Sequence, residues 1–174
     1  MRTVMGVVLA ATMCSAQAQA GGLVCAVKAE ATALETRVVQ TELMVAALSC
    51  DAAARYNAFV VKFRPELTSA YKKLGGFFHR LYGSDVDKHV NDYVTRTANE
   101  SSQRAIAQIN DFCAAAALTF DLMEQADSKH FDSFVHAQPA AQQIGYDTCP
   151  EKQPKAPARR TLEANALARP SGSP

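Results

Sequence analysis

Tryptophan is absent from this 174-residue chain, and aromatic residues make up only 7% of it. Pro65 is the one proline before residue 139, and glycines are sparse over the same stretch. No segment alternates apolar and polar residues long enough to specify a strand, which excludes sandwiches and barrels. No C-x-x-C occurs, so zinc ribbons, thioredoxin-like redox chemistry and c-type haem attachment lose their usual signature. G-x-S-x-G and a glycine-rich phosphate loop are also missing, which leaves nucleophilic and nucleotide chemistry without support. The formal net charge is only +1, too balanced for a nucleic-acid binder.

What the chain does have begins with "MRTVMGVVLAATMCSAQAQA". One arginine, an apolar run and overlapping A-x-A patterns read as a secretory signal over residues 1–20, cut after Ala20 or, failing that, Ala18. Its apolar stretch is shorter than the ~20 residues of a membrane span, and no later segment reaches that length. Cys14 follows Met13 rather than the small residue that precedes a lipidated cysteine. The expected product is periplasmic or secreted.

Removing that signal leaves Cys25, Cys50, Cys113 and Cys149, an even set that reads as two disulfides. It also leaves a neutral chain with an uneven charge distribution. From Cys149 onward five basic residues outweigh two acidic ones, a net of +3, and the body from Gly21 to Thr148 carries −3. That proline-rich stretch, 149–174, is expected to be a disordered tail, with disorder beginning as early as Gln138. Weak contact with an anionic surface is the one partner its charge suggests.

The remaining body reads as all-α. A first helix spans Val27 to Ser49, with Val27, Ala31, Leu34, Val38, Val45 and Leu48 on its inner face and Glu30, Glu35, Arg37 and Gln40 away from it. Asp51 is placed to cap the next. From Ala52 to Tyr82 the seam Tyr56, Val60, Phe63, Leu67, Ala70, Leu74, Phe77 and Leu81 keeps its spacing through Pro65, which predicts one helix kinked at the proline. Gly83 ends it, and Ser84 with Asp87 resembles a capping box. Val86, Val90, Tyr93 and Thr97 start a third seam that resumes at Ile106 and continues through Cys113 to Met123. In between, "TANESSQR" predicts either a break near Asn99–Ser102 or a long helix with a polar patch turned inward. A short last helix begins at Asp127 or Ser128.

Helix geometry then favours one crosslinking scheme. At about 1.5 Å per residue, Cys25 and Cys50 lie roughly 37 Å apart and cannot bond. In an up-down-up bundle the third segment climbs back to the level of Cys50, giving Cys50–Cys113 and Cys25–Cys149. The alternative, Cys25–Cys113 with Cys50–Cys149, needs the third segment to fold back near Asn99.

Three polar groups are candidates for chemistry. His79, Asp85, His89 and Asp92 could share a face as a metal site or a carboxylate–imidazole base, although carboxylates in a first helical turn also serve the helix dipole. Asp127, His130, Asp132 and His136 fit the solvated side of a short amphipathic helix. Thr97, Glu100, Ser101 and Arg104 would form a polar ligand pocket if the third helix does not break, with Glu100 the expected partner of Arg104.

"ALSC", "YNAFVVKF" and "TRTANESS" followed by "DFC", covering Ala46 to Cys113, resemble a group of small exported α-helical proteins of alphaproteobacteria that have no assigned activity. The resemblance implies an envelope location and a disulfide-tied helical domain. It carries over no functional residue. The L-T-x-x-Q motif of Spy-type periplasmic chaperones is absent. These readings converge on a disulfide-stapled antiparallel bundle of three to five helices. Its expected role is non-enzymatic, binding an envelope protein or a small ligand without a cofactor. The alternative is a metal-dependent or general-base enzyme using His79, His89, Asp85 and Asp92.

Overall fold

The computed structural model describes residues 25–150, so the signal segment and all of the tail beyond Pro150 lie outside the described residues. Six α-helices make up the body: α1 (Lys28–Ser49), α2 (Ala53–Lys62), α3 (Arg64–Tyr82), α4 (Val86–Ala107), α5 (Ile109–Gln125) and α6 (Phe131–His136). Short 3₁₀ turns at Ser128–His130 and Pro139–Gln143 flank α6. No helix among the described residues is long and apolar enough to cross a membrane.

The first helix is the axis of the bundle. It touches every other α-helix and the Pro139–Gln143 turn, and it is buried on nearly all sides. Its burial reaches beyond the predicted stripe, because Ala33, Val39, Leu43, Ala46 and Ala47 are covered as well. A helix surrounded by others has little face left for water. Three expectations fail for this reason or at its ends. Glu35 is buried, 8% exposed, whereas Val27 before the first turn and Leu48 on the last are exposed, 44% and 81%.

The chain runs up, down and up around this axis. Arg80 near the end of α3 meets Glu30 at the start of α1, with Nε donating at 2.9 Å, so α3 descends. Three contacts run in one register between α1 and α4–α5: Tyr93 Oη to the Leu34 carbonyl, Arg104 to Glu42, and the Cys50–Cys113 disulfide. Both expected disulfides are present, and their Cα–Cα distances are 5.0 Å for Cys25–Cys149 and 5.5 Å for Cys50–Cys113.

The helix breaks are displaced from where the sequence put them. Instead of one kinked helix, α2 and α3 are separated by Phe63 alone, two residues ahead of Pro65. The hydrogen-bond ladder still crosses the gap, from Phe63 N–H to the Phe59 carbonyl and from Leu67 N–H to the Phe63 carbonyl. The third segment breaks at Gln108, not at Asn99–Ser102, which is helical. Asp51 is no cap; it takes φ +54°, a left-handed conformation that aspartate tolerates better than most residues. Asp85 rather than Ser84 precedes α4, without a side-chain cap. Asp127 does cap, accepting from His130 N–H at 3.0 Å.

Residues 138–150 are ordered, contrary to the expected onset of disorder at Gln138. Ala140, Ala141 and Ile144 are buried against the bundle, and Tyr93 Oη donates to the Ile144 carbonyl at 3.2 Å. Burial raises the Tyr93 phenol above its ordinary value and keeps it a neutral donor. The strap ends in a parallel bridge between Ala26 and Thr148, beside the Cys25–Cys149 bond.

The Glu30–Arg80 pair makes the fold acid-sensitive at this end. The Arg80 guanidinium holds the Glu30 carboxyl below its usual value of 4.5. A carboxyl that ionises at lower pH when folded contributes its full stabilisation above the unfolded value and loses it as pH falls through the folded one. Wild type should therefore exceed Glu30→Gln in denaturation midpoint near neutral pH. That gap should close as pH drops below 4.5. A gap that stays constant across this range would assign the difference to packing.

Candidate functional site

The opening lies at the bend between α2 and α3. Pro65 has no N–H, and its ring would collide with the carbonyl four residues back in a continuous helix. The chain accommodates it at Phe63, whose φ of −107° and ψ of 24° depart from helical values. Phe63 is fully buried, with ring centroids 5.7 Å from Phe59, 4.8 Å from Phe131 and 6.5 Å from Phe134. Above this aromatic knot a cleft of about 350 Å³ remains between α1, the first turns of α3 and residues 128–132. Its walls carry Thr36, Glu66, Ser69, Lys73, Lys129 and Asp132, with Pro65 beside them.

Two buried side-chain atoms lack a hydrogen-bond partner among the described residues, Glu66 Oε2 and Arg37 Nε. They fall on neighbouring openings. Glu66 lines the cleft, and Arg37 lines a small hole of about 10 Å³ that shares Ala33, Thr36 and Ala70 with it. Unmet polar atoms cost stability in a protein interior, and where they persist they concentrate at functional sites. The hole beside Arg37 has room for about one water; the cleft beside Glu66 is of ligand size.

Arg37 donates through Nη1 to Gln40 at 3.0 Å and has no carboxylate partner among the described residues. Burial pushes its guanidinium below the ordinary value. A guanidinium that loses hydration on burial without a carboxylate partner penalises the fold, and an apolar side chain of similar length removes that penalty. Arg37→Met should therefore leave the denaturation midpoint unchanged or raise it. A clear drop would mean that the guanidinium has a partner in solution.

The residues singled out from the sequence lie elsewhere, with one exception. His79 Nδ1 is 2.6 Å from the Gly83 carbonyl, His89 stacks on Tyr82 at 3.7 Å, and Asp92 is 2.8 Å from Lys88 Nζ. Asp85 stands at the start of α4. Among the described residues no group of three His, Cys, Asp or Glu side chains is arranged to hold a metal ion. In the second group Asp127 pairs with His130 at 2.8 Å, and this contact lowers the Asp127 carboxyl below its usual range. His136 reaches across to the buried Glu35 at 3.0 Å. Asp132 alone of that group faces the cleft.

The Thr97–Arg104 patch does turn inward, and it is occupied by its own bonds. Thr97 and Ser101 are buried. Thr97 Oγ1 lies 3.1 Å and 3.0 Å from the carbonyls of Tyr93 and Val94. Arg104 pairs with Glu42, not with the exposed Glu100, and also donates to Ser101 Oγ at 2.9 Å and Gln143 Oε1 at 2.7 Å. This patch braces α1, α4 and the strap. Glu42 could have been found from sequence, because the Cys50–Cys113 offset places it opposite residue 105. Glu66 and Arg37 carry no motif.

The chain matches no family model, no curated protein and no solved structure.

Proposed function

We propose that this is an exported, non-catalytic helical protein that binds a small polar ligand in the cleft at the α2–α3 bend. One observation carries the reading. A ligand-sized cleft at the helix bend carries side chains of both signs, Glu66 and Asp132 with Lys73 and Lys129. Its volume of about 350 Å³ falls within the range of small-molecule sites, 300–1,000 Å³, and is too small for a folded partner. Export is supported by the secretory pattern of residues 1–20 and by two disulfides, which persist in oxidising compartments. The non-catalytic part rests on the histidines. Each is engaged away from the cleft carboxylates, by Gly83, Tyr82, Asp127 or Glu35.

The test is an amide-resolved NMR titration of the oxidised mature chain with the small-molecule fraction of a bacterial periplasm. Native mass spectrometry of the same sample, recovered without reductant, would report any adduct. Shifts at Ser69, Lys73 and Lys129, with a small-molecule adduct, are the expected result. Shifts confined to residues 79–92 would overturn it in favour of the histidine–aspartate group.

A further inference from the structure

The end of the bundle where α3 turns into α4 carries an aromatic surface that the cleft does not use. Tyr82, on the last turn of α3, stacks on His89 of α4 with ring centroids 3.7 Å apart. Phe78 lies nearly parallel to both, at 6.1 Å and 6.4 Å. Tyr146 of the strap meets Phe77 and Phe78 edge to face, at 4.9 Å and 6.1 Å. Burial, and after it the neighbouring Tyr82 hydroxyl, raise the Tyr146 phenol, so the two tyrosines stand together. Phe77 and Phe78 are buried, but Tyr82 is 48% exposed and His89 and Tyr146 are half-buried. The aromatic core thus continues outward into rings that reach solvent.

Carboxylates stand around these rings. Asp85 and Asp87 follow Tyr82 within five residues, and Asp147 follows Tyr146 directly. All three are exposed, and none forms an ion pair among the described residues. The nearest cations along α3 and α4 are engaged: Arg80 by Glu30, Lys88 by Asp92, and Arg96 over the rings of Tyr93 and Tyr146.

The chain supplies a complement at the same point. Residues 151–174 leave the body next to Cys149, which the bond to Cys25 fixes three residues beyond Tyr146. Residues 152–160 read KQPKAPARR, with the cations Lys152, Lys155, Arg159 and Arg160 and no carboxylate. Pro154 and Pro157 are three apart, the repeat that sets prolines along one edge of a polyproline helix. Segments of that kind dock on aromatic-lined surfaces at little entropic cost. At no more than ~3.6 Å per residue, Tyr146 lies within ~11 Å of Cys149, and Pro154 can travel ~18 Å from it. So short a tether gives a millimolar effective concentration, which populates a contact that would be weak between separate molecules.

We infer that residues 152–160 fold back onto the Tyr82–His89–Tyr146 surface, with Pro154 and Pro157 on the rings and the four cations facing Asp85, Asp87 and Asp147. Opposite charge supplies the attraction, and the prolines supply the fit. The surface shares no residue with the cleft, so it stands apart from the ligand reading.

The test compares the ¹⁵N-labelled, oxidised mature chain with a variant carrying Lys152→Gln, Lys155→Gln, Arg159→Gln and Arg160→Gln. At low salt the amides of Tyr82, Asp85 and His89, all remote in sequence from the substitutions, should differ between the two. In about 1 M salt, where the screening length is ~3 Å, at least about half of that difference should vanish. Pro154→Ala with Pro157→Ala should move the same amides part of the way to the glutamine variant. In the wild type, nuclear Overhauser contacts should join the Pro154 or Pro157 ring protons to Tyr82 or His89. Amides at this end that match in all three proteins would overturn the inference and leave the basic tail to an outside surface. Differences that grow with protein concentration would also overturn it, by giving the tail to a second copy.

Discussion

Serine at both Cys25 and Cys149 should remove about 5 kcal/mol of stability, and serine at Cys50 and Cys113 about 4 kcal/mol, by the loop-entropy relation applied to separations of 124 and 63 residues. A domain of this size has only about 5–15 kcal/mol in total, so either loss takes a large share of it. The longer loop would cost less if the strap could simply peel away from the native body. Its packing argues against that. Ile144, Ala140 and Ala141 are buried, Tyr93 holds the Ile144 carbonyl, and Arg104 holds Gln143. Undocking the strap would therefore expose core. Guanidinium denaturation of the oxidised wild type and the two double-serine variants reads both numbers. A loss below about 1 kcal/mol at Cys25–Cys149 would show that the strap is detachable and that the clasp constrains little beyond itself.

Phe63→Ala should cost about 3–5 kcal/mol, whereas Pro65→Ala should cost no more than about 1 kcal/mol. The contrast follows from what each residue does at the bend. Phe63 is wholly buried and joins rings contributed by α2 and α6. Truncating it opens a cavity among the rings of Phe59, Phe131 and Phe134. Pro65 sits in the second position of α3, where its missing N–H removes no helix bond. Alanine there would lose only the restriction that proline places on the unfolded chain. Denaturation midpoints of the two variants decide the matter. A larger loss at Pro65 than at Phe63 would mean that the ring, not the aromatic packing, holds the bend.

Periodicity and helix rise were enough to read the helical class, the boundaries of α1 and the pairing of four cysteines. The pairing could be deduced because the same rise that separates Cys25 from Cys50 also returns α4–α5 to the level of Cys50. The register between α1 and α4 is a further consequence, and it yields Glu42–Arg104 once it is taken seriously. The interior of α4 was harder. Thr97 and Ser101 look like loop residues because hydropathy counts their hydroxyls as exposed, yet Thr97 bonds back to its own helix and Ser101 reaches Arg104. The break instead falls at Gln108, where φ is −146° and no proline or glycine announces it.

The cleft was the least legible feature. Its lining comes from residues 32–36, 65–73 and 128–132, which share no spacing that a sequence scan could register.

The clasp at Cys25–Cys149 also determines how the molecule would respond to tension. Because Ala26 pairs with Thr148 next to that bond, the described body begins and ends at one point. A pull applied at residues 25 and 150 would run across a single covalent crosslink and leave the six described helices unloaded. Cut that crosslink, and the same pull would load the Tyr93–Ile144 contact that holds the strap and the Glu30–Arg80 contact at the start of α1.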